Sequence, residues 1–180
     1  VFGTLKAALY GLVALYITFF LYALLVYGGI VKGLGKFGVR KFFSAVMPAA
    51  LNAFGTCSSS ATLPISKRCA DEMGVPNEIS SLALPLGATI NMDAVSILMS
   101  FMIVFFANAC GVEVSIGTPG VPGGAIASFA ALASIAGLPA GVMGVYISVN
   151  TLCDMGATCC NVLGDLACSV AMKETVRLKK

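Results

Sequence analysis

Three aspartates could carry ion or solute chemistry because they stand in sequence that is otherwise almost free of charge: Asp93, Asp154 and Asp165. A carboxylate at membrane depth costs roughly 2.5–3.5 kcal/mol on insertion scales. No Lys or Arg lies close to any of the three in sequence. Each therefore needs a cation from elsewhere, either a metal ion, a substrate amine or another helix, unless it stays protonated.

A polar stripe connects two of these aspartates. Asp154 and Asp165 are eleven residues apart, about three helical turns, so they share one face of a helix. The same face carries Asn150, Thr158 and Asn161. A polar stripe on an apolar helix faces a bundle interior or a pathway, and the spacing leaves open whether it binds ligands or forms a structural polar seam.

The third aspartate follows an interruption of an apolar run, Gly87-Ala88-Thr89-Ile90-Asn91-Met92-Asp93. Asn91 and Asp93 are two residues apart, so a regular helix would splay their side chains. A locally unwound segment would bring both into one site and expose carbonyl groups. Oxygen donors of this kind suit a hard cation, and sodium fits better than a transition metal because the chain has no His.

The composition excludes several classes of protein. Hydrophobic residues make up 58% of the 180 residues, charged residues only 11%, and the mean hydropathy is +0.96, which is untypical of a soluble domain. Without His, and without the phosphate-binding or nucleophile motifs of common enzymes, we expect no enzyme. The net charge of +3 is small and argues against a nucleic-acid partner. The seven cysteines lack a Cys-x-x-Cys pair and are predicted to pack as small hydrophobic side chains.

The elements that position the aspartates are membrane spans whose ends are marked by charge. Residues 7–31 contain no charged side chain, which is enough to cross a hydrocarbon core of ~30 Å. Ten of the eleven Lys and Arg residues lie at 32–41, 67–68 and 173–180. If all three clusters are cytoplasmic, the predicted spans run inward, outward and inward over about 4–31, 79–110 and 140–172.

Two intervening segments begin and end on one side and are too short for two spans. The segments are 42–66, with the polar tip Thr56-Cys57-Ser58-Ser59-Ser60, and 114–138, which is rich in Gly and Pro. We predict two opposed re-entrant hairpins, with ordinary interfacial loops as the alternative. Opposed broken helices of this kind commonly build the midplane binding sites of transporters.

Four motifs stand in order along the chain: Ser58-Ser59-Ser60 with Thr62-Leu63-Pro64, Asn91-Met92-Asp93, Gly120-Val121-Pro122-Gly123, and Asp154-Met155-Gly156 with Thr158, Asn161, Gly164 and Asp165. In this order they resemble the dicarboxylate/amino acid:cation symporter family, which includes the glutamate transporters. The resemblance implies an all-α multi-pass membrane protein with two opposed re-entrant helical hairpins. It also implies an elevator-type transport domain that slides against a scaffold domain in a homotrimer.

The resemblance assigns roles to individual residues. The serine-rich tip would contact the substrate carboxylate, Val121 would close over it, Asp154 would bind the substrate amine, and Thr158 and Asn161 would complete the pocket. One sodium site would use Gly87, Asn91, Asn161 and Asp165, and Asn91 and Asp93 would help form a second. A third would use Thr89 with the backbone of Ser115, Ile116 and Thr118.

Departures from the family pattern bear on the substrate. Acidic-substrate members place an Arg at the first hairpin tip or in the last helix, where this chain has Cys57 and Ala157. A second substrate carboxylate would then lie unpaired at membrane depth, at a cost of several kcal/mol. Val95 replaces a Thr that contacts substrate in the family, and Asn150 stands where an acidic residue is common. We therefore predict a small neutral substrate such as alanine, serine, threonine or cysteine.

The predicted units follow from these motifs. Residues 1–36 form the first transmembrane helix, 37–75 the first re-entrant hairpin, and 76–112 the interrupted transmembrane helix. Residues 113–138 form the second hairpin, and 139–180 the last transmembrane helix with a basic, cytoplasmic tail. Only 112–114 separate the interrupted helix from Ser115, where the family has a whole helical limb, so we expect an incomplete chain that lacks this limb and the scaffold helices.

The sequence thus predicts a sodium-coupled symporter of small neutral amino acids in the plasma or inner membrane, in contact with the lipid bilayer. An acidic amino acid or dicarboxylate symporter of the same family is the first alternative. An anion or solute channel, or a non-transporting membrane subunit, is the alternative from another class.

Overall fold

The computed structural model describes residues 2–113 and 125–177, and within these ranges the chain is helical and has no strand. The helices are α1 Phe2–Tyr22, α2 Gly28–Gly33, α3 Val39–Thr56, α4 Ser59–Glu72, α5 Asn77–Ile90, α6 Asp93–Cys110, α7 Ala125–Ile135 and α8 Val142–Arg177. A π-turn, Ala23–Tyr27, joins α1 to α2 without a break in direction. The expected all-α class is confirmed.

The helix α8 is the centre of the bundle, and every other helix and the π-turn pack against it. Its most apolar membrane-length window is 78% buried, against 22% for the window that includes α1. Small residues along α8 permit this close packing. At Gly156, an added Cβ would lie 3.0 Å from the ring of Phe19. Polar side chains on α8 are therefore shielded from the lipid.

The helices α3 and α4 form a hairpin with a two-residue tip. Cys57 takes the left-handed conformation that ends α3, with φ of 50°. Ser58 then caps α4, its side chain accepting the N–H of Ala61 at 3.2 Å. The buried Thr62 hydroxyl donates to Asn52 Oδ1 at 3.1 Å and to the Ser58 carbonyl at 2.8 Å, which fastens the two limbs together near the tip.

The helices α5 and α6 are one membrane-length segment interrupted in the middle. The N–H of Asn91 still bonds to the Gly87 carbonyl at 2.8 Å, but Asn91 has ψ of 86°, which ends α5. After Met92, α6 begins at Asp93, whose carboxylate stands at the positive end of the helix dipole. The polar residues of the Asn-Met-Asp motif therefore lie at a pair of helix ends within an apolar segment.

Three stretches are long and apolar enough to cross a membrane: Leu9–Gly33, Asn77–Cys110 and Val142–Val176. They coincide closely with the three expected spans. That 37–75 enters the membrane and returns to the same side stays a prediction, as do the boundaries of the five units. The tip of the second expected hairpin, 114–124, lies outside the described residues.

Candidate functional site

A cluster of amides and carboxylates fills the break between α5 and α6. The Asn91 side-chain N–H₂ donates to Asp165 Oδ1 at 2.9 Å and to the backbone carbonyl of Asn161 at 3.2 Å. Asp165 is 5% exposed and Asn161 is 2% exposed, and both belong to α8. The break therefore brings Asn91 against the polar stripe of α8, 70 residues or more away in the chain.

Asn161 also fixes the start of α6. The backbone N–H of Ala94 donates to Asn161 Oδ1 at 3.0 Å and to Asp93 Oδ1 at 2.9 Å. One otherwise unpaired N–H at the helix terminus is thereby satisfied by two oxygen atoms from different elements. This arrangement joins Asn91, Asp93, Asn161 and Asp165 into one network.

Two tyrosines hold Asp93, and sequence reasoning missed both. The hydroxyls of Tyr22 and Tyr27 donate to Asp93 Oδ2 at 2.7 and 2.6 Å. These are the lengths of charge-assisted O–H···O bonds. In the sequence, the two tyrosines look like ordinary members of an apolar span. Two facts could have suggested the pairing. A buried tyrosine hydroxyl needs a hydrogen-bond partner, and Asp93 has no basic residue near it in sequence that could serve as its own partner.

Two glycines make room for the network. A Cβ at Gly87 would lie 2.7 Å from the Asp165 carboxylate carbon. A Cβ at Gly164 would lie 2.6 Å from Asn91 Nδ2 and 2.8 Å from the Tyr27 hydroxyl. All three distances are too short for real side chains, so glycine lets α5, α8 and the π-turn approach each other at this point.

The expected substrate residues lie farther along α8, towards the tip of the first hairpin. Asp154 is half-buried, and the buried Thr158, one turn further along α8, has its side chain close to this carboxylate. Cys57, at the hairpin tip, is close enough to Asp154 for the two side chains to interact electrostatically. Ser58, Ser59 and Ser60 share this tip. Their side chains are half-buried at Ser58 and Ser59 and exposed at Ser60.

Other expected site residues stand apart from the network. The Thr89 hydroxyl is exposed and donates to the Pro85 carbonyl of its own helix at 3.0 Å. Val95 is half-buried against the apolar core, and Ala157 is fully buried. Ser115, Ile116, Thr118 and Val121 lie outside the described residues. The residues expected for the first and second sodium sites therefore come together in the network, whereas Thr89 of the third site does not join them.

The donors in the network are those that a hard cation uses. Asp93 and Asp165 supply carboxylate oxygens, and Asn91 and Asn161 supply amide and backbone oxygens. In 2–113 and 125–177, no group of three or more His, Cys, Asp and Glu side chains forms a metal site. The oxygen donors therefore suit sodium better than a transition metal.

One polar atom on the stripe of α8 has no partner in the part of the chain that the structure describes. Asn150 Oδ1 is buried and accepts no hydrogen bond. Asn150 lies one turn before Asp154 on the same helix. The acceptor thus adds a free oxygen at the end of the stripe where the substrate residues are expected.

Comparison with known proteins identifies relatives over most of the chain. A family model described as the sodium:dicarboxylate symporter family matches residues 1–175. Neutral amino acid transporter B(0) of Mus musculus is 34% identical over 141 residues, 69% of this chain and 26% of that protein. Neutral amino acid transporter A of Homo sapiens is 34% identical over 161 residues, 78% of this chain and 30% of that protein.

A relative with a different named substrate class matches over a similar length. Excitatory amino acid transporter 2 of Homo sapiens is 29% identical over 172 residues, 84% of this chain and 30% of that protein. The chain spans less than a third of the length of these three relatives. The relatives are transporters and not enzymes, in agreement with the expectation from the sequence.

Proposed function

The chain belongs to the sodium:dicarboxylate symporter family, and on this premise we propose that it forms most of the transport domain of a sodium-coupled symporter of small neutral amino acids. The observation that carries the proposal is the network of Asn91, Asp93, Asn161 and Asp165 at the break between α5 and α6. The network contains two carboxylates and no Lys or Arg side chain. Sodium ions would supply the missing positive charge.

The substrate would bind between the hairpin tip and α8. Asp154 would pair with the substrate amine, and the backbone and hydroxyls at 58–60 would bind its carboxylate, because helix N-termini favour anions. The cap of α4 at Ser58 supports this assignment, since it orients the free N–H groups of the first turn toward the tip. The unpaired Asn150 Oδ1 offers a further acceptor one turn away.

The neutral substrate follows from what the pocket lacks. Cys57 and Ala157 occupy the two positions where acidic-substrate relatives place an Arg, and neither carries charge. A substrate with a second carboxylate would leave that group without a cation partner, which costs several kcal/mol. The identities are 30–34% to neutral amino acid transporters and 29–31% to excitatory amino acid transporter 2, and since these ranges overlap, the choice rests on the two uncharged positions.

Coupling would arise from linkage between the two regions of α8. Asn161 belongs to the network proposed to bind sodium and lies one turn from Thr158, whose side chain is close to Asp154. Sodium that orders this stretch would raise the affinity for substrate, and substrate would raise the affinity for sodium by the same factor. We propose that the whole protein is a homotrimer in the plasma or inner membrane. The second hairpin would be its gate, and the transport domain would move as an elevator.

The test is uptake by proteoliposomes that contain the full-length protein. With an inward sodium gradient, we expect saturable uptake of serine and alanine, and none when choline replaces sodium. Aspartate should neither be taken up nor compete. Asp154→Asn should abolish uptake, because it removes the partner of the substrate amine.

The other candidate functions give different results in the same assay. Sodium-dependent uptake of aspartate would retain the family and overturn the choice of a neutral substrate. Non-saturable flux without sodium would indicate a channel. A complete lack of uptake and of substrate binding, unchanged by Asp154→Asn, would indicate a non-transporting subunit.

A further inference from the structure

The π-turn between α1 and α2 changes which residues share a face of the helix. Tyr22 and Tyr27 are five residues apart, which in a regular α-helix would separate their directions by about 140°. The π-turn Ala23–Tyr27 closes hydrogen bonds over five residues and so places positions i and i+5 nearly above each other. The two rings consequently meet edge to face, with centroids 5.2 Å apart.

Both hydroxyls of this pair converge on one oxygen atom. They donate to Asp93 Oδ2 at 2.7 and 2.6 Å, while Asp93 Oδ1 accepts the N–H of Ala94 at 2.9 Å. Tyr27 is 2% exposed, so its ring is buried among the surrounding helices. Because donors from α1, the π-turn and α6 hold both oxygens, the carboxylate cannot rotate without breaking a hydrogen bond.

We propose that Tyr22 and Tyr27 are positioning residues that orient the Asp93 carboxylate for sodium, and that the π-turn exists to bring them together. The inference rests on the proposed sodium coupling and adds residues of the first span to it. The tyrosines act through Asp93 and need not contact the ion. They supply hydrogen-bond donors to a carboxylate that has no Lys or Arg partner in the sequence around it.

The packing around Tyr27 ties this pair to the rest of the network. Gly164 of α8 leaves just enough room for the Tyr27 hydroxyl and for Asn91 Nδ2, since its Cβ would lie 2.8 and 2.6 Å from them. Asn91 in turn bonds Asp165. A displacement of Tyr27 would therefore reach both aspartates of the sodium network.

The experiment measures the sodium dependence of thermal unfolding for the purified full-length protein without substrate. A ligand that binds only the folded state raises the unfolding temperature of the protein as the ligand concentration increases. Tyr22→Phe and Tyr27→Phe each remove one charge-assisted hydrogen bond. We expect each to raise about tenfold the half-effective sodium concentration, which is the concentration that gives half of the maximal rise in unfolding temperature. Tyr16→Phe is the matched control, because its hydroxyl bonds the Leu152 carbonyl at 2.6 Å and not Asp93.

A double-mutant cycle shows whether the tyrosines act through Asp93. In an Asp93→Asn background, adding Tyr27→Phe should change the half-effective sodium concentration by less than about twofold. A purely structural role would lower the unfolding temperature in sodium-free buffer and leave the sodium concentration dependence unchanged.

The proposal is overturned if both Tyr→Phe variants keep the wild-type sodium dependence, or bind sodium more tightly, while Asp93→Asn weakens it. That result would leave the sodium-coupled function intact. If sodium does not stabilise the wild-type protein at all, the proposed sodium-coupled function is itself wrong. The experiment thus separates failure of the proposed function from failure of the role of the two tyrosines.

Discussion

Gly164 is the point where a single added methyl group would collide with two parts of the polar network. Its Cβ would lie 2.6 Å from Asn91 Nδ2 and 2.8 Å from the ring of Tyr27. We expect Gly164→Ala to destabilise the protein by about 1–3 kcal/mol, because both side chains must move away. The variant should also weaken sodium binding, and both effects are measurable by thermal unfolding with and without sodium.

The same helix offers a matched control for this substitution. Gly144 lies near the start of α8, and nothing stands within 4 Å of an added Cβ there. Gly144→Ala should be neutral or stabilising by up to about 1 kcal/mol, since Ala favours the helix. If both substitutions have the same effect, the close approach at Gly164 is not what the network requires.

Cys57 tests the origin of the neutral specificity. It is half-buried at the hairpin tip, within electrostatic range of Asp154. We expect Cys57→Arg to permit sodium-dependent aspartate binding and to weaken serine binding by about tenfold or more, because the new cation pairs with a second carboxylate. Competition binding with both amino acids measures the switch.

A neutral side chain of similar length separates charge from size in that experiment. Cys57→Met should weaken serine binding without any gain in aspartate binding. A gain of aspartate binding in both variants would show that pocket shape, and not charge, selects the substrate.

Individual residues differ in how well the sequence reveals them. Asp165 and Asn161 could be placed on one helix face from their spacing, because α8 is regular and the period of 3.6 residues holds. Tyr22 and Tyr27 could not be assigned to Asp93, because the π-turn rotates one towards the other and hydropathy patterns do not reveal a π-turn. The hydrogen bonds of Asn91 to Asn161 and Asp165 likewise could not be predicted, because they form only when α8 packs against the break between α5 and α6.

Among the elements, the hairpin of α3 and α4 depends on a hydrogen bond near its tip. Thr62 is fully buried and its hydroxyl reaches Asn52 of the opposite limb at 3.1 Å. Thr62→Val keeps the shape but leaves Asn52 Oδ1 and the Ser58 carbonyl without this donor, which costs about 1–3 kcal/mol. Hydrogen exchange of residues 39–72 should become faster, with less change in α8.

Thr56 provides the comparison within the same hairpin. Its hydroxyl is exposed and donates to Asn52 O, a carbonyl of its own helix, at 2.8 Å. Thr56→Val should leave the exchange of the hairpin nearly unchanged. Equal acceleration by the two variants would contradict a specific role for the bond between the limbs.

The break between α5 and α6 was predictable because its motif has a spacing that a regular helix cannot use. Asn91 and Asp93 would point in different directions on a continuous helix, and both are expensive in an apolar segment. The hairpin of α3 and α4 was predictable from length, since 25 residues between two basic clusters are too few for two spans. The second hairpin tip, 114–124, lies outside the described residues and remains a prediction.

For the whole molecule, described residues in or next to the three basic regions approach one another at one end of the bundle. Lys173 Nζ donates to the Met73 carbonyl at 3.1 Å, and Lys67 bonds Asn77 and Ser80 at the start of α5. Gly35, in the turn after α2, packs closely against Val170 of α8. A common end for these residues agrees with the expectation that this end faces the cytoplasm, because cytoplasmic loops of membrane proteins carry an excess of Lys and Arg.

Labelling from the two sides of the membrane tests this orientation. In a variant without the exposed Cys110 and Cys168, we expect Asn108→Cys to react with an impermeant thiol reagent in intact cells. Lys32→Cys and Arg68→Cys should react only after permeabilisation. Reaction of Arg68→Cys from outside, with Lys32→Cys protected, would mean that the first hairpin crosses the membrane and does not return.

The most direct test of sodium-coupled recognition of a neutral amino acid is the equilibrium affinity of the full-length protein for serine as sodium is varied. If the network at the break between α5 and α6 binds sodium and is linked to Asp154 through α8, the Kd for serine should fall steeply with increasing sodium. Aspartate should not bind at any sodium concentration. A Kd for serine that does not depend on sodium would contradict the coupling between the two regions.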